Sequence, residues 1–144
     1  MFFVLFQNET ACRAIEEPRV SASESLRLLI VDDSVEFRRS LTKIFQKAGF
    51  KVRAVDDCKR ASALLRQEFF PLIITDLRMA GKSGLDLLKE ASSVSPESKV
   101  IMVTAFGDEE AEQLALASGA AAFFFKPVKR RAILDAARRV LGLP

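Results

Sequence analysis

Short apolar runs alternate with amphipathic stretches along the chain from Leu26 onward. Runs that are apolar at nearly every position are typical of parallel strands that helices cover on both faces. The pattern predicts strands at residues 28–31, 52–55, 72–74, 100–103 and 123–125. Strand and helix signals follow each other five times, which indicates one sheet built from repeated strand-helix units.

The stretches between these runs carry apolar residues at the spacing of one helix face. The apolar face of the first stretch comprises Phe37, Leu41, Ile44, Phe45 and Ala48. Asp33 or Ser34 is the expected N-cap of this helix, and Gly49 is its expected terminator. Four further helices are expected at about 57–67, 84–93, 108–118 and 129–141. Their predicted inward residues are Ala61, Leu64, Leu65, Leu85, Leu88, Ala91, Ala111, Leu114, Ala115, Ile133, Leu134, Ala137, Val140 and Leu141.

The predicted fold is therefore an α/β domain with a (βα)5 doubly wound parallel sheet. Connections between parallel strands are right-handed, which places helices on both faces of the sheet. In such sheets ligands bind outside the carboxyl ends of the strands, where the strand order reverses. Functional side chains are thus expected at the ends of the strands.

The composition fits one globular domain, since 144 residues that are 49% hydrophobic can bury a core. No apolar run approaches the roughly 20 residues that a membrane-spanning helix needs. The N-terminus has no basic region before its apolar residues, so a cytoplasmic location is expected. Cys12 and Cys58 lie far apart in a chain without histidine, which predicts reduced thiols rather than a disulfide or a metal site.

Residues 1–25 do not follow the strand-helix pattern. We therefore expect an N-terminal extension or linker at 1–25 and a folded domain at 26–144. The apolar run at 2–6 leaves three interpretations open: a segment docked on the domain, a dimerisation element, or a region translated from a misjudged start.

Basic residues gather near the C-terminus of a chain whose net charge is +3. They are Lys126, Lys129, Arg130, Arg131, Arg138 and Arg139. A helix normally carries its charges on the solvent face, so this cluster is a weak indication of nucleic-acid binding. Direct binding of nucleic acid is not expected.

Polar residues that can carry chemistry follow the predicted strands. They are Asp32 and Asp33 after the first strand, Asp76 after the third, Thr104 after the fourth and Lys126 after the fifth. Asp33 alone could simply cap a helix, but three carboxylates, a hydroxyl and an amine at one edge predict a site. Three carboxylates repel one another unless a cation joins them, and an all-oxygen site without histidine suits magnesium rather than zinc. A carboxylate can also attack a phosphoryl group, and Asp76 at the end of the central strand is the expected acceptor.

Four segments resemble the signatures of bacterial response regulator receiver domains. They are Leu-Ile-Val-Asp-Asp-Ser at 29–34, Ile-Thr-Asp-Leu-Arg-Met at 74–79, Val-Thr-Ala-Phe at 103–106 and Phe-Lys-Pro at 125–127. The spacing between the segments is also similar to that of the family, and the resemblance covers about 26–143. It implies the flavodoxin-like strand order 2-1-3-4-5. It also implies a switch in two-component phosphorelay signalling that is operated by phosphorylation, rather than an enzyme with turnover.

The resemblance gives a role to each acidic residue at the strand ends. Asp76 is the implied phosphoryl acceptor, and Asp33 is the implied direct ligand of Mg²⁺ or Mn²⁺. Asp32 would act on the metal partly through water. The backbone carbonyl of Arg78 is implied as a further ligand.

The resemblance also implies that other residues of these segments contact the phosphoryl group or respond to it. Thr104 and Lys126 would contact it, and the bond between Lys126 and Pro127 is usually cis in this family. Phe123 occupies the position of a switch aromatic, for which plain core packing is the alternative interpretation. Phosphorylation would draw the Thr104 loop toward Asp76 and let Phe123 turn, which would remodel the face of the fourth helix, fifth strand and fifth helix.

The partners follow from the same resemblance. The phosphoryl donor would be a sensor histidine kinase or a phosphotransfer protein, and the output would go to a downstream protein partner or an effector domain. A homodimer could form through the face that carries Lys129, Arg130 and Arg131. Few residues follow the last predicted helix, so we expect a stand-alone receiver, with a receiver excised from a longer regulator as the alternative.

Some positions depart from the family pattern. Ala80 stands where proline is common and Ser83 where an acid is common, which would alter the stiffness of their loop. The resemblance places Arg78 and Phe106 at positions that influence how long the phosphoryl group survives in the family. Both side chains are large enough to hinder an attacking water molecule, so we expect slow dephosphorylation.

Two other functions compete with the receiver interpretation. A phosphohydrolase is disfavoured because residues 32–34 lack the Asp-x-Asp spacing, and a receiver-like interaction module that acts without phosphorylation stays as the alternative.

Overall fold

The computed structural model describes residues 26–79, 81, 83–105 and 109–144. In chain order the elements are β1 (Arg27–Val31), α1 (Val35–Lys47), β2 (Lys51–Val55), α2 (Cys58–Gln67), β3 (Leu72–Thr75), α3 (Gly84–Val94), β4 (Lys99–Thr104), α4 (Glu109–Ala117), β5 (Ala122–Phe125) and α5 (Arg130–Leu141). The predictions for residues 1–25, Ala80 and Phe106 lie outside the described residues. Among the described helices, none has the length and apolar character that crossing a membrane requires.

The five strands form one parallel sheet in the order β2-β1-β3-β4-β5. This confirms the predicted strand order and the doubly wound α/β fold. β1 pairs with β2 on one side and with β3 on the other, so the chain winds in opposite directions from this point. The crevice at the carboxyl ends of β1 and β3 is therefore where this class of sheet binds ligands.

Successive residues of the central strands enter two separate apolar layers. Leu28 and Ile30 of β1 pack with α1 and α5, whereas Leu29 and Val31 pack with α2, α3 and α4. Because both faces are covered, the strand is apolar at every position rather than at alternate ones. The edge strands are more open, and Phe125 of β5 is 43% exposed.

Local capping explains where the first three helices begin. The Ser34 side chain accepts a hydrogen bond from the backbone N of Phe37 at 3.3 Å, which identifies Ser34 as the N-cap of α1. Asp57 caps α2 in the same way, and Ser83 and Asp86 form a reciprocal capping box at α3. These three helices therefore begin within about one residue of the predicted positions, and α5 begins at Arg130 without a side-chain cap.

The predicted inward position of Leu114 is wrong, because this side chain is 52% exposed. The residue of α4 that is fully buried is its neighbour Ala115. Successive residues of a helix are separated by about 100°, so Leu114 and Leu116 flank Ala115 and point to either side of the buried face. Leu87 and Ala136 are buried although the sequence did not single them out. The other predicted inward residues lie in or against the two apolar layers.

The start of α3 packs closely against the backbone that follows β3. A Cβ atom on Gly84 would lie 2.1 Å from the backbone oxygen of Asp76 and 3.1 Å from Cα of Leu77. The backbone N of Gly84 also donates a hydrogen bond to the carbonyl of Leu77 at 2.8 Å. Only glycine allows this approach, so Gly84 helps to fix the backbone at Asp76.

We predict that Gly84→Ala lowers the free energy of unfolding by about 3 kcal/mol, because the new methyl group meets backbone that cannot rotate away. Urea denaturation followed by circular dichroism measures this, since the chain has no Trp or Tyr to report by fluorescence. Gly49→Ala is the matched control, because Gly49 has φ +97° but nothing within 4 Å of its Cβ position. It should cost about 1 kcal/mol. Equal losses in the two variants would show that the close approach is unimportant.

Candidate functional site

Three carboxylates converge at the carboxyl edge of the sheet. Val31 of β1 is in register with Thr75 of β3, so the residues that follow them, Asp32 and Asp76, are neighbours. The backbone N of Asp76 donates to the carbonyl of Val31 at 3.0 Å, which extends this pairing. One carboxylate oxygen from each of Asp32, Asp33 and Asp76 lies within 4.8 Å of the others. The sequence prediction that these acids share one edge is thus met by the geometry.

Two of the three carboxylates are removed from water. Asp32 is 1% exposed and Asp76 is 4% exposed, whereas Asp33 is exposed to solvent. Burying an ionised carboxylate is costly unless it gains a charged or hydrogen-bonding partner. The site therefore depends on positive charge that the protein or a ligand supplies.

Lys126 supplies one such charge from the far side of the site. Its Nζ donates to Oδ2 of Asp32 at 2.8 Å and to Oδ2 of Asp76 at 3.1 Å, and the side chain is only 16% exposed. The residue follows β5, and its backbone N donates to the carbonyl of Thr104 at 2.8 Å. The peptide bond between Lys126 and Pro127 is cis.

Backbone and arginine donors orient the remaining oxygens. The backbone N of Ser34 donates to Oδ1 of Asp32 at 2.8 Å, and the backbone N of Arg78 donates to Oδ1 of Asp76 at 3.2 Å. Arg38 donates from Nη1 to the backbone carbonyl of Asp32 at 2.7 Å. Each buried carboxylate thus has one oxygen held by the backbone and one held by Lys126.

The pKa shifts of Asp32 and Lys126 reflect both their burial and their contact with each other. Burial raises the pKa of Asp32 above its ordinary value, although hydrogen bonds from Lys126 and Ser34 act against it. Burial alone would lower the pKa of Lys126, but its hydrogen bonds and charge interactions with Asp32 and Asp76 outweigh this and raise it. Lys126 therefore stays protonated at neutral pH, while ionised Asp32 is less stable than a solvated carboxylate.

The donor set fits a hard divalent cation. Among the residues that the structure describes, three carboxylates face one ammonium, so negative charge exceeds positive charge at the cluster. All the candidate ligand atoms are oxygens, which Mg²⁺ and Mn²⁺ prefer, and neither histidine nor cysteine belongs to the cluster. Asp32, Asp33 and Asp76 are the residues that could hold such an ion.

The other predicted residues lie around this cluster. Thr104 ends β4, is fully buried and is in register with Phe125 of β5. Phe123 is half-buried against the layer of α2, α3 and α4, and its ring meets that of Phe125 edge-on with centroids 5.3 Å apart. The structure places the backbone N of Arg78 at Asp76, but no described contact involves the Arg78 carbonyl.

Three residues at the site do not stand out in the sequence. The pattern of residues predicts Gly84 only as a helix start and Phe37 as part of the core face of α1, and it does not single out Arg38. In the structure Nζ of Lys126 lies 4.2 Å from the centroid of the Phe37 ring, over its face. A signal was available, because α1 begins at the edge of the sheet where β1 ends, so its first turn must border Asp32.

We predict that Lys126→Met lowers the free energy of unfolding in EDTA by about 2–3 kcal/mol, because two buried carboxylates lose their shared charged donor. Urea denaturation followed by circular dichroism measures the loss. Lys129→Met is the matched control, since the Lys129 side chain is exposed and makes no capping hydrogen bond at α5. It should change stability by less than about 0.5 kcal/mol. A similar result for both variants would mean that the ammonium does not stabilise the cluster.

Comparison with known proteins agrees with this architecture. The protein-family model for the response regulator receiver domain matches residues 28–138. The C4-dicarboxylate transport transcriptional regulatory protein DctD of Pseudomonas aeruginosa is 30% identical over 115 residues, which are 80% of this chain and 25% of that protein. The chain thus spans about a quarter of the length of the curated relatives it matches.

Solved structures show the same fold. A CheY-like receiver domain protein of Methanospirillum hungatei JF-1 has a TM-score of 0.77 and 32% identity, covering 81% of this chain and 93% of its own. The beryllofluoride-activated NtrC4 receiver domain dimer has a TM-score of 0.77 and 27% identity, covering 81% of this chain and 96% of its own. With a family match over most of its length and an acidic cluster at the edge where the sheet changes winding direction, this chain belongs to the response regulator receiver domain family.

Proposed function

We propose that this receiver domain, at residues 26–144, accepts a phosphoryl group on Asp76 and thereby changes its affinity for a protein partner. The donor is the phosphohistidine of a sensor histidine kinase or of a phosphotransfer protein. The observation that carries the proposal is the convergence of three carboxylates within 4.8 Å, with the Lys126 ammonium bonded to two of them. Phosphoryl transfer needs this arrangement of a nucleophilic oxygen and positive charge.

The order of the strands favours Asp76 as the acceptor. β3 lies between β1, which ends at the acids Asp32 and Asp33, and β4, which ends at Thr104. An incoming phosphoryl group on Asp76 would therefore have acidic ligands on one side and hydroxyl and ammonium donors on the other. Asp32 also contacts Lys126, but it lacks this position because β1 lies between β2 and β3 and not beside β4, which ends at Thr104.

The reaction is a group transfer between two side chains. An oxygen of the Asp76 carboxylate attacks phosphorus, and the bond between phosphorus and the donor's histidine nitrogen breaks, so an aspartyl phosphate forms and the histidine is released. When bound by Asp32, Asp33 and Asp76, Mg²⁺ or Mn²⁺ would supply positive charge for the phosphoryl oxygens, with the Arg78 carbonyl as a further ligand. Lys126 neutralises the remaining charge, and the Thr104 hydroxyl donates a hydrogen bond to the transferred group.

The output follows from the contact between the ends of β4 and β5. Thr104 is tied to Lys126 through a backbone hydrogen bond, so movement of Thr104 toward the phosphoryl group displaces the end of β5. Phe123 then turns inward from its half-buried position, and the face of α4, β5 and α5 changes shape. That face binds a downstream protein, an effector domain or a second copy of the chain. The domain acts as a switch and not as an enzyme with turnover.

We predict that wild-type protein incubated with Mg²⁺ and phosphoramidate gains the mass of one phosphoryl group and that Asp76→Asn does not. An amide in place of the carboxylate keeps the shape of the side chain but removes the nucleophile. Intact mass spectrometry measures the adduct.

Asp56→Asn is the matched control for this experiment. Asp56 follows β2 at the same edge of the sheet, is exposed and pairs with Arg60 at 3.5 Å. It should be phosphorylated like wild type. An adduct on Asp76→Asn would refute the acceptor assignment, and an unmodified wild type would favour an interaction module that acts without phosphorylation.

We further predict that Mg²⁺ at about 100 times its dissociation constant stabilises the fold by about 3 kcal/mol. Asp33→Asn should lose most of this gain while changing stability little in EDTA, because Asp33 is exposed and makes no described ion pair. Thermal unfolding followed by circular dichroism, with and without Mg²⁺, measures both quantities. Asp56→Asn should keep the full gain. A gain that survives in Asp33→Asn would exclude this side chain as a ligand.

A further inference from the structure

The ammonium group of Lys126 has three close neighbours, of which only two are carboxylates. Its Nζ donates to Asp32 and Asp76, and the face of the Phe37 ring is the third, with its centroid 4.2 Å away. An ammonium carries three N–H groups, of which two are used in the described hydrogen bonds to the carboxylates. The Phe37 ring is therefore a further favourable neighbour for the charge, beside the two carboxylates.

The Phe37 ring is held in this place by both backbone and packing. Its backbone N donates to the N-cap Ser34, which directly follows Asp33. Its side chain packs against the apolar layer of α1 and α5 while remaining partly exposed. The first turn of α1 therefore positions the ring. This turn follows closely after the acidic residues at the end of β1.

We propose that Phe37 is a positioning residue for phosphoryl transfer: its ring face holds the Lys126 ammonium beside Asp76 while the ammonium changes hydrogen-bond partners. This inference rests on the proposed function. During transfer Lys126 must give up part of its contact with the carboxylates to contact a phosphoryl oxygen. The attraction between the cation and the ring persists through that exchange, so the ammonium does not have to be repositioned.

An aromatic ring suits this role because it attracts a cation without competing for its hydrogen bonds. The ring has no charge, cannot bind Mg²⁺ and cannot take a proton from Lys126. A carboxylate at this position would add a fourth negative charge to the cluster, and an aliphatic side chain would fill the space without attracting the ammonium. Ring electronics, rather than size, should therefore determine the reaction rate.

The decisive experiment varies the electronics of the ring at constant shape. 4-Fluoro-, 3,5-difluoro- and 3,4,5-trifluorophenylalanine are incorporated at position 37, and the rate of adduct formation with phosphoramidate is measured by intact mass at saturating Mg²⁺. The rate should fall stepwise with fluorination, and Phe37→Leu should be slower than wild type by about 3- to 10-fold. The Mg²⁺ affinity, measured by titration calorimetry, should stay within twofold of wild type. Equal rates across the fluorinated series would overturn the proposal.

A double-mutant cycle tests whether Phe37 acts through Lys126. Phe37→Leu is introduced into the Lys126→Met background, where no ammonium remains for the ring to hold. The second substitution should then leave the rate unchanged, because the two side chains act as one unit. The same fold loss in both backgrounds would mean that Phe37 affects the reaction by packing alone, and the proposal would be rejected.

A measurement without any phosphoryl donor separates this inference from the proposed function. The side-chain protons next to the Lys126 ammonium should show an upfield ring-current shift by NMR that disappears in Phe37→Leu. If this shift is present but wild type accepts no phosphoryl group, the proposed function fails, and with it the role of Phe37 in transfer. If wild type is phosphorylated and all position-37 variants react at its rate, only the positioning role fails.

Discussion

The shortage of positive charge at the carboxyl edge of the sheet is the constraint on which this structure depends. Two carboxylates that are almost fully buried, Asp32 and Asp76, share the single ammonium of Lys126. Parallel pairing of β1 with β3 forces the two acids together, and the strand order brings Lys126 in from the other side. Backbone pairing sets the positions of the two residues, so their mutual repulsion follows from the strand order. A ligand that brings positive charge would reduce it.

Burial of Asp32 therefore opposes the stability of the fold, whereas the interactions of Lys126 with the two acids support it. Burial raises the pKa of Asp32, so the ionised form costs free energy in the folded protein that it does not cost in the unfolded chain. The apolar layers on both faces of the sheet offset this cost through well-packed strands such as β1 and β3. Proteins commonly place such unfavourable groups at functional sites, where binding removes the penalty. Gly84 also contributes to the site, because its lack of a side chain lets the start of α3 pack against the backbone of Asp76.

Much of the fold was predictable, because apolar runs, capping residues and strand ends are local signals. Asp32 and Asp76 could be placed at one edge without coordinates, since parallel strands end on the same side. Contacts between elements were harder to predict. The exposure of Leu114 depends on how α4 is rotated over the sheet. Sequence periodicity identifies the apolar face of a helix, but not the residues that this face contacts. Phe37 was read as a core residue for the same reason, although its ring also meets an ammonium from the opposite end of the chain.

The path from the cluster to the surface is short. Lys126 contacts the two buried acids through its side chain and Thr104 through its backbone, so one residue joins the site to the ends of β4 and β5. β5 is an edge strand, and its ring pair of Phe123 and Phe125 is only partly covered. A partly covered edge costs less to rearrange than the buried centre of the sheet. β5 thus links the acidic cluster to a partly exposed edge of the domain.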